Sequence, residues 1–232
     1  MMLTSSKPLR LALIGMSGAG KTYWARHLAE QYPAISTDDQ IEARLAPELQ
    51  KGDFRGINGV AAWMGWPDSP TYAERESQYL AEEIASMDEV LTGLEKNPAS
   101  ELILDTSGSV IHVGNNLLLR LRKLMTVVYL EASAEEQQLL IRRYLDDPKP
   151  VLWRGAFQPR ARESATETVA RCYPALIGAR RQSYQALAHL TLPVAELREL
   201  AALAESRGQS PAAAFLDRLR SQIDGRRQAG SI

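Results

Sequence analysis

A single cysteine, Cys172, stands among the 232 residues. No intrachain disulfide can form, and a cytoplasmic, reducing compartment is the expectation. Nor is there a surplus of either charge: 27 Lys and Arg against 28 Asp and Glu leave a formal net charge of −1. No global field then draws the chain toward nucleic acid or an anionic membrane, and neither is expected as a partner. No apolar run approaches the ~20 residues of a membrane span, and Met1 to Pro8 carries no apolar core of signal-peptide length. The three histidines, His27, His112 and His189, show no metal-ligand spacing. Internal repeats and low-complexity tracts are also absent. What remains is a chain long enough for one large α/β domain, or one domain with small appendages.

That domain is organised around Gly15-Met16-Ser17-Gly18-Ala19-Gly20-Lys21-Thr22, a complete G-x-x-x-x-G-K-T phosphate-binding loop. Four fixed positions of this kind coincide by chance in roughly 1% of chains this long. The context agrees with the motif, because Leu9 to Ile14 is a short apolar run and Thr22 to Gln31 continues with good helix formers. Glycines let the backbone turn its N–H groups inward, and the helix adds its positive N-terminal end, so main-chain donors at Gly15, Ser17, Gly18, Ala19 and Gly20 hold a polyphosphate. Lys21 reaches the β- and γ-phosphates of ATP, and the Thr22 hydroxyl ligates Mg²⁺.

Further along, a short strand over Ala34 to Thr37 is followed at once by Asp38 and Asp39, at the sheet edge where α/β folds place ligands. One aspartate is expected to cap the next helix while the other faces the phosphates. Gly52 to Thr71 is the least regular stretch, with a short helix at Val60 to Met64; Asp53, Arg55, Trp63, Trp66 and Tyr72 either line a pocket or anchor the excursion. Tyr72 to Lys96 reads as a long amphipathic helix with Tyr79, Leu80, Ile84, Met87, Val90, Leu91 and Leu94 on its apolar side. Leu102-Ile103-Leu104-Asp105 is an apolar strand closed by a carboxylate that meets Mg²⁺, and Thr106 to Ser109 follows with hydroxyls and backbone donors.

The second half continues the alternation. Leu117 to Lys123 is helical, Met125 to Leu130 a buried strand, and Ser133 to Tyr144 a helix opened by a Ser133–Glu136 capping signature, with Leu139, Leu140 and Tyr144 as its stripe. Asp146 to about residue 165 is a proline-stiffened segment carrying Lys149, Arg154, Arg160 and Arg162: a lid closing over phosphate, or a solvated surface loop. A helix over Tyr173 to Leu190 and a final strand over Thr191 to Val194 complete the pattern. Two more helices follow, Glu196 to Arg207 and Ala212 to Ile223, the second with Ser210 as N-cap. The termini, 1–8 and 225–232, are expected to be disordered.

The order of these features resembles shikimate kinase and the related small P-loop metabolite kinases. The resemblance rests on the loop, Asp38-Asp39-Gln40-Ile41-Glu42, Thr106-Ser107-Gly108-Ser109, Lys149-Pro150-Val151-Leu152, and Arg180 with Tyr184. It spans about residues 9 to 193 and implies a three-layer P-loop NTPase fold with a five-stranded parallel sheet of order 2-3-1-4-5. It also implies ATP with Mg²⁺ as cofactors and phosphorylation of a hydroxyl. Ser107, Gly108 and Arg180 fall at the family's substrate positions. The chain departs from the family where Ser36 stands for its first aspartate, Ala73 for the arginine that grips the substrate carboxylate, and Ser107-Gly108-Ser109 for its triple glycine. Arg75 or Arg55 are the candidates to replace that arginine.

The expected activity is therefore ATP-dependent phosphorylation of a small hydroxylated metabolite, shikimate or a related hydroxy acid or polyol, by a monomer or weak homodimer. Lys21, Asp38, Lys149 and Arg154 are the candidate catalytic residues, Thr22 and Asp105 the metal ligands, and Asp38, Arg55, Ser107, Gly108 and Arg180 the substrate contacts. Two rivals belong to other classes. One is a nucleotide-binding interaction protein whose substrate site has decayed, docking through a C-terminal helical extension at 194–224. The other is a kinase of nucleotides or nucleic-acid ends, which the lack of a basic stripe disfavours.

Overall fold

The computed structural model describes residues 8–147 and 149–229. Strand β1 (Arg10–Ile14) is central, flanked by β3 (Leu102–Asp105) and β4 (Thr126–Glu131), with β2 (Ala34–Ser36) and β5 (Leu190–Pro193) at the edges. All four pairings are parallel and the order is β2-β3-β1-β4-β5, the order that the resemblance implied. In the register, Asp105 lies level with Leu13 on one side and Ser36 on the other. The phosphate loop, the start of the helix after β2 and the β3 carboxylate thus all leave one sheet edge.

Because successive strand side chains point to opposite faces, the sheet builds two cores. Ala12, Ile14, Leu102, Leu104, Val127 and Tyr129 face one; Leu11, Leu13, Ile103, Val128 and Leu130 face the other. The first is covered by α2 (Thr37–Leu49), α3 (Gly56–Met64), α4 (Tyr72–Lys96), α5 (Asn115–Leu124), α6 (Ala134–Asp146) and α7 (Ala165–Leu187). The second is covered by α1 (Lys21–Leu28), α8 (Val194–Ser206) and α9 (Pro211–Ala229). Helices α8 and α9 are thus one of the three layers rather than an appendage: Leu197, Ala201, Phe215 and Leu219 are buried, and Phe215 stacks on Trp24 with ring centroids 4.8 Å apart. Phe215→Ala should cost about 3–5 kcal/mol of stability, read from urea unfolding of the full chain.

Several local expectations change. Helix α7 begins at Ala165, eight residues before Tyr173, under a complete Ser164–Glu167 capping box, and its buried Val169, Cys172, Tyr173, Leu176 and Ile177 carry it through Pro174. Helix α1 ends at Leu28, and a turn in which Tyr32 N donates to Leu28 O at 3.0 Å leads to Pro33. Helix α9 runs to Ala229, through residues expected to be disordered; the rest of the expected tails, 1–7 and 230–232, lies outside the described residues. The Ser210 hydroxyl is buried without a hydrogen bond, so it does not cap α9. Leu139 is exposed while Leu140 and Tyr144 are buried. Neither aspartate caps α2: Ser36 does, accepting from Asp39 N at 3.2 Å.

Candidate active site

Three glycines give the phosphate loop its path. Gly15, Gly18 and Gly20 have φ of 144°, 82° and 91°, and a Cβ on Gly15 would stand 2.8 Å from Leu130 O. Lys21, 7% exposed, folds back over the loop and donates to Gly15 O at 2.9 Å and Met16 O at 3.0 Å. Burial lowers its pKa, while the charges of Asp105 and Asp38 pull it up. Both carboxylates are themselves raised, because burial outweighs the attraction of Lys21.

A cavity of about 460 Å³ opens over this edge, lined by Ser17, Gly18, Thr22, Asp38, Asp105 and Lys149. Six of the residues singled out in the sequence thus meet around one volume. Ile57, on the insert helix α3, completes its wall. Asp105 Oδ1 is buried without a hydrogen-bond partner, and the carboxylate is bonded to Thr22. Among the described residues no group of three or more His, Cys, Asp or Glu converges on a metal. A pair such as Thr22 and Asp105 suits Mg²⁺, which keeps several waters and takes its other ligands from phosphates.

Two further cavities reach the same loop. One of about 470 Å³ runs from Gly18, Ala19 and Gly20 along α8, past Tyr23, Leu197 and Arg198. Another of about 300 Å³ lies between Gly18, Leu140, Tyr144 and Tyr173.

The remaining candidates are placed differently. Lys149 lines the cavity while bonded to Asp147 at 2.7 Å and to Asn58. Arg154 does not line it: its side chain is exposed, its φ is 48°, and its backbone N–H donates to Glu76 at 2.9 Å. Between these cations Val151, Leu152 and Trp153 are buried. Tyr72 Oη donates to Val151 O at 2.6 Å and accepts from Trp153 N at 3.1 Å. The segment is therefore pinned to the core at its middle, with Arg160 and Arg162 in solvent beyond it.

Arg55 is 84% exposed and paired with Asp53, outside the cavity, so the substrate role read for it finds no support. Arg75 lies 5.6 Å from the centroid of Trp63 and donates to Trp63 O. Trp63 and Tyr72 are buried in the core, so these aromatics anchor the insert. Arg180 is buried and spends its guanidinium on Gly108 O at 3.1 Å and Leu152 O at 2.6 Å, leaving Nε unpartnered. Tyr184 donates to the same Gly108 carbonyl. Ser107 donates to Glu83, a residue the sequence reading passed over. Glu83 falls on the 3–4 spaced stripe of Tyr72, Glu76, Tyr79, Met87, Val90 and Leu94, whereas Ile84, assigned to that stripe, is 37% exposed.

No protein-family model matches the chain. It is 34% identical over 164 residues to a curated shikimate kinase of Paracidovorax citrulli (strain AAC00-1), a match that covers 68% of this chain and 74% of the relative. Among solved structures, the shikimate kinase from Acinetobacter baumannii in complex with shikimate is 25% identical with a TM-score of 0.54, covering 80% of this chain and 84% of that one. The shikimate kinase from Bacteroides thetaiotaomicron shares the fold, with a TM-score of 0.54 at 20% identity over 93% of this chain and 98% of that one. With the phosphate loop, the sheet order and the strand-end carboxylates in place, the chain belongs to the shikimate kinase family of P-loop kinases.

Proposed function

We propose that the protein transfers the γ-phosphoryl group of ATP to a hydroxyl of a small metabolite, shikimate or a hydroxy acid or polyol close to it. The observation that carries this reading is the single cavity joining Thr22, Asp38, Asp105 and Lys149 beside Lys21 at one sheet edge. The loop N–H groups and Lys21 hold the β- and γ-phosphates, and the nucleoside extends into the cavity along α8. Thr22 and Asp105 would hold Mg²⁺, which neutralises charge on the phosphate oxygens. Asp38 orients the acceptor hydroxyl and takes its proton, and Lys149, on the facing wall, offsets charge on the group in transfer.

The rival of a nucleotide-binding docking protein loses its argument, because α8 and α9 are used as the second core layer. The test is ADP release with Mg²⁺ and ATP across shikimate, quinate and related polyols. Acceptor-stimulated turnover is the expected result, and its absence across the panel would overturn the reading.

A further inference from the structure

Beside the turn that follows β3, five hydroxyl and carboxyl groups from three elements are joined by hydrogen bonds. Tyr79 on α4 donates its phenol to Asp38 Oδ1 at 3.2 Å and is hydrogen bonded to Ser109. Ser109 Oγ donates to Glu83 Oε2 at 2.7 Å. Ser107 Oγ, 3.1 Å from Ser109 Oγ, donates to the other oxygen of Glu83. Glu83 itself is 0% exposed. Two serines can settle a turn by bonding backbone groups at far less cost than burying an acid. What a carboxylate adds is the capacity to gain a proton.

We infer that Glu83 stores the proton released by phosphoryl transfer, delivered from Asp38 through Tyr79 and Ser109. The inference rests on the reading above that Asp38 receives the acceptor hydroxyl. As the acceptor O–P bond forms and the bond from the γ-phosphorus to the β,γ-bridging oxygen of ATP breaks to release ADP, the acceptor O–H bond breaks and its proton passes to Asp38. Once Asp38 carries the proton, its own O–H donates to Tyr79 Oη and the phenol O–H turns from Asp38 to Ser109; Asp38 then protonates Tyr79 Oη as the phenol's proton moves to Ser109 Oγ, and the Ser109 proton moves to Glu83 Oε2. Each hydroxyl gains one proton and gives one, so only the ends change: Asp38 is again a carboxylate and Glu83 a carboxylic acid. After product leaves, the same row runs backward and Asp38 hands the proton to water in the cavity.

The surroundings permit this exchange. Glu83 is faced by Ser107 and Ser109 of the turn after β3, by Asp38 of α2, by Arg180 and Tyr184 of α7, and by Tyr79 of its own helix. Burial is the largest influence and lifts its carboxyl to about 7; the serine hydrogen bonds and Arg180 oppose the rise, and Asp38 adds to it. A group held there exchanges protons at neutral pH.

The experiment compares the full-length wild type with Glu83→Gln and Tyr79→Phe, in the presence of ATP, Mg²⁺ and the best acceptor of the panel. Glutamine keeps the shape and a hydrogen-bonding partner for both serines, so a purely positioning role would survive it. The expected result is a fall in kcat of about 10- to 100-fold in both variants. KM for ATP and acceptor should stay within about twofold, and both variants should lose the acid limb near pH 7 expected of the wild type, where Glu83 must be ionised to accept. Wild-type turnover with kcat and pH limb unchanged in Glu83→Gln overturns the relay, as does a loss confined to Tyr79→Phe. If Glu83→Gln fails to fold, Tyr79→Phe decides. A wild type that no acceptor stimulates overturns the kinase reading, and the relay with it.

Discussion

Lys21→Ala is expected to lower kcat/KM for phosphoryl transfer by about 10³-fold. The cation is seated over the phosphate loop, held by Gly15 O and Met16 O. It therefore needs little reorganisation to meet the β- and γ-phosphates, which is the condition under which a buried charge contributes most. The substitution also changes the field of the site. Asp38 and Asp105 both act on Lys21; without it, two neighbouring carboxylates confront a polyanion with only Arg26 and Lys149 as cations on the cavity wall. ATP affinity should fall together with kcat, whereas loss of a group that acts only in the transition state would spare binding. Steady-state kinetics and calorimetric titration of ATP check the two parts, with circular dichroism as the control for folding. Activity within tenfold of wild type would show that the loop N–H groups suffice without the lysine.

The fold was legible wherever local chemistry and tertiary structure make the same demand. The phosphate loop is one such place, because its glycines, Lys21 and Thr22 each answer a steric or electrostatic need of the bound phosphate. The bounds of α4, Tyr72 to Lys96, are another, since a long amphipathic repeat stopped by Asn97-Pro98 leaves little choice. Legibility fails where a distant partner decides. Glu83 lies on the buried stripe, yet a glutamate on a helix reads as a solvated charge until Ser107 and Ser109 are brought against it. Arg180 lies at a substrate position of the family, but the segment around Leu152 claims two of its donors with Gly108, a contact between residues far apart in the chain. Likewise Phe215 looks like part of an appended helix until Trp24 is found beneath it. The start of α7 is a different failure: the Ser164–Glu167 box was present in the sequence, and Pro174, ten residues inside the helix, is tolerated there because its neighbours are buried.

Asp105→Asn is expected to move activity and stability in opposite directions. Asp105 ends the buried hydrophobic strand β3 beside the central β1, is 6% exposed, and leaves Oδ1 without a hydrogen bond. Its pKa and that of Asp38 are both raised although Lys21 lies near both and Arg26 also acts on Asp105, so burial costs more than these cations return. Neutralising one of the two leaves one carboxylate opposite one lysine. The nucleotide-free protein should then gain roughly 1 kcal/mol, or about 2–4 °C in Tm for a chain of this size. Catalysis should suffer because an amide is a poor ligand for Mg²⁺ compared with a carboxylate. We expect kcat/KM to fall about 10²-fold, with saturation shifted to higher Mg²⁺ concentration, and the stabilisation by Mg²⁺ with ATP to shrink relative to wild type. Differential scanning calorimetry with and without Mg²⁺ and ATP measures the stability arm, and rates across a Mg²⁺ series measure the other. Wild-type magnesium dependence would remove Asp105 from the metal's ligands, and a lower nucleotide-free Tm would show that its pairing with Lys21 outweighs its burial. Opposite shifts in the two arms are the signature of a residue kept charged for the reaction at the expense of the fold.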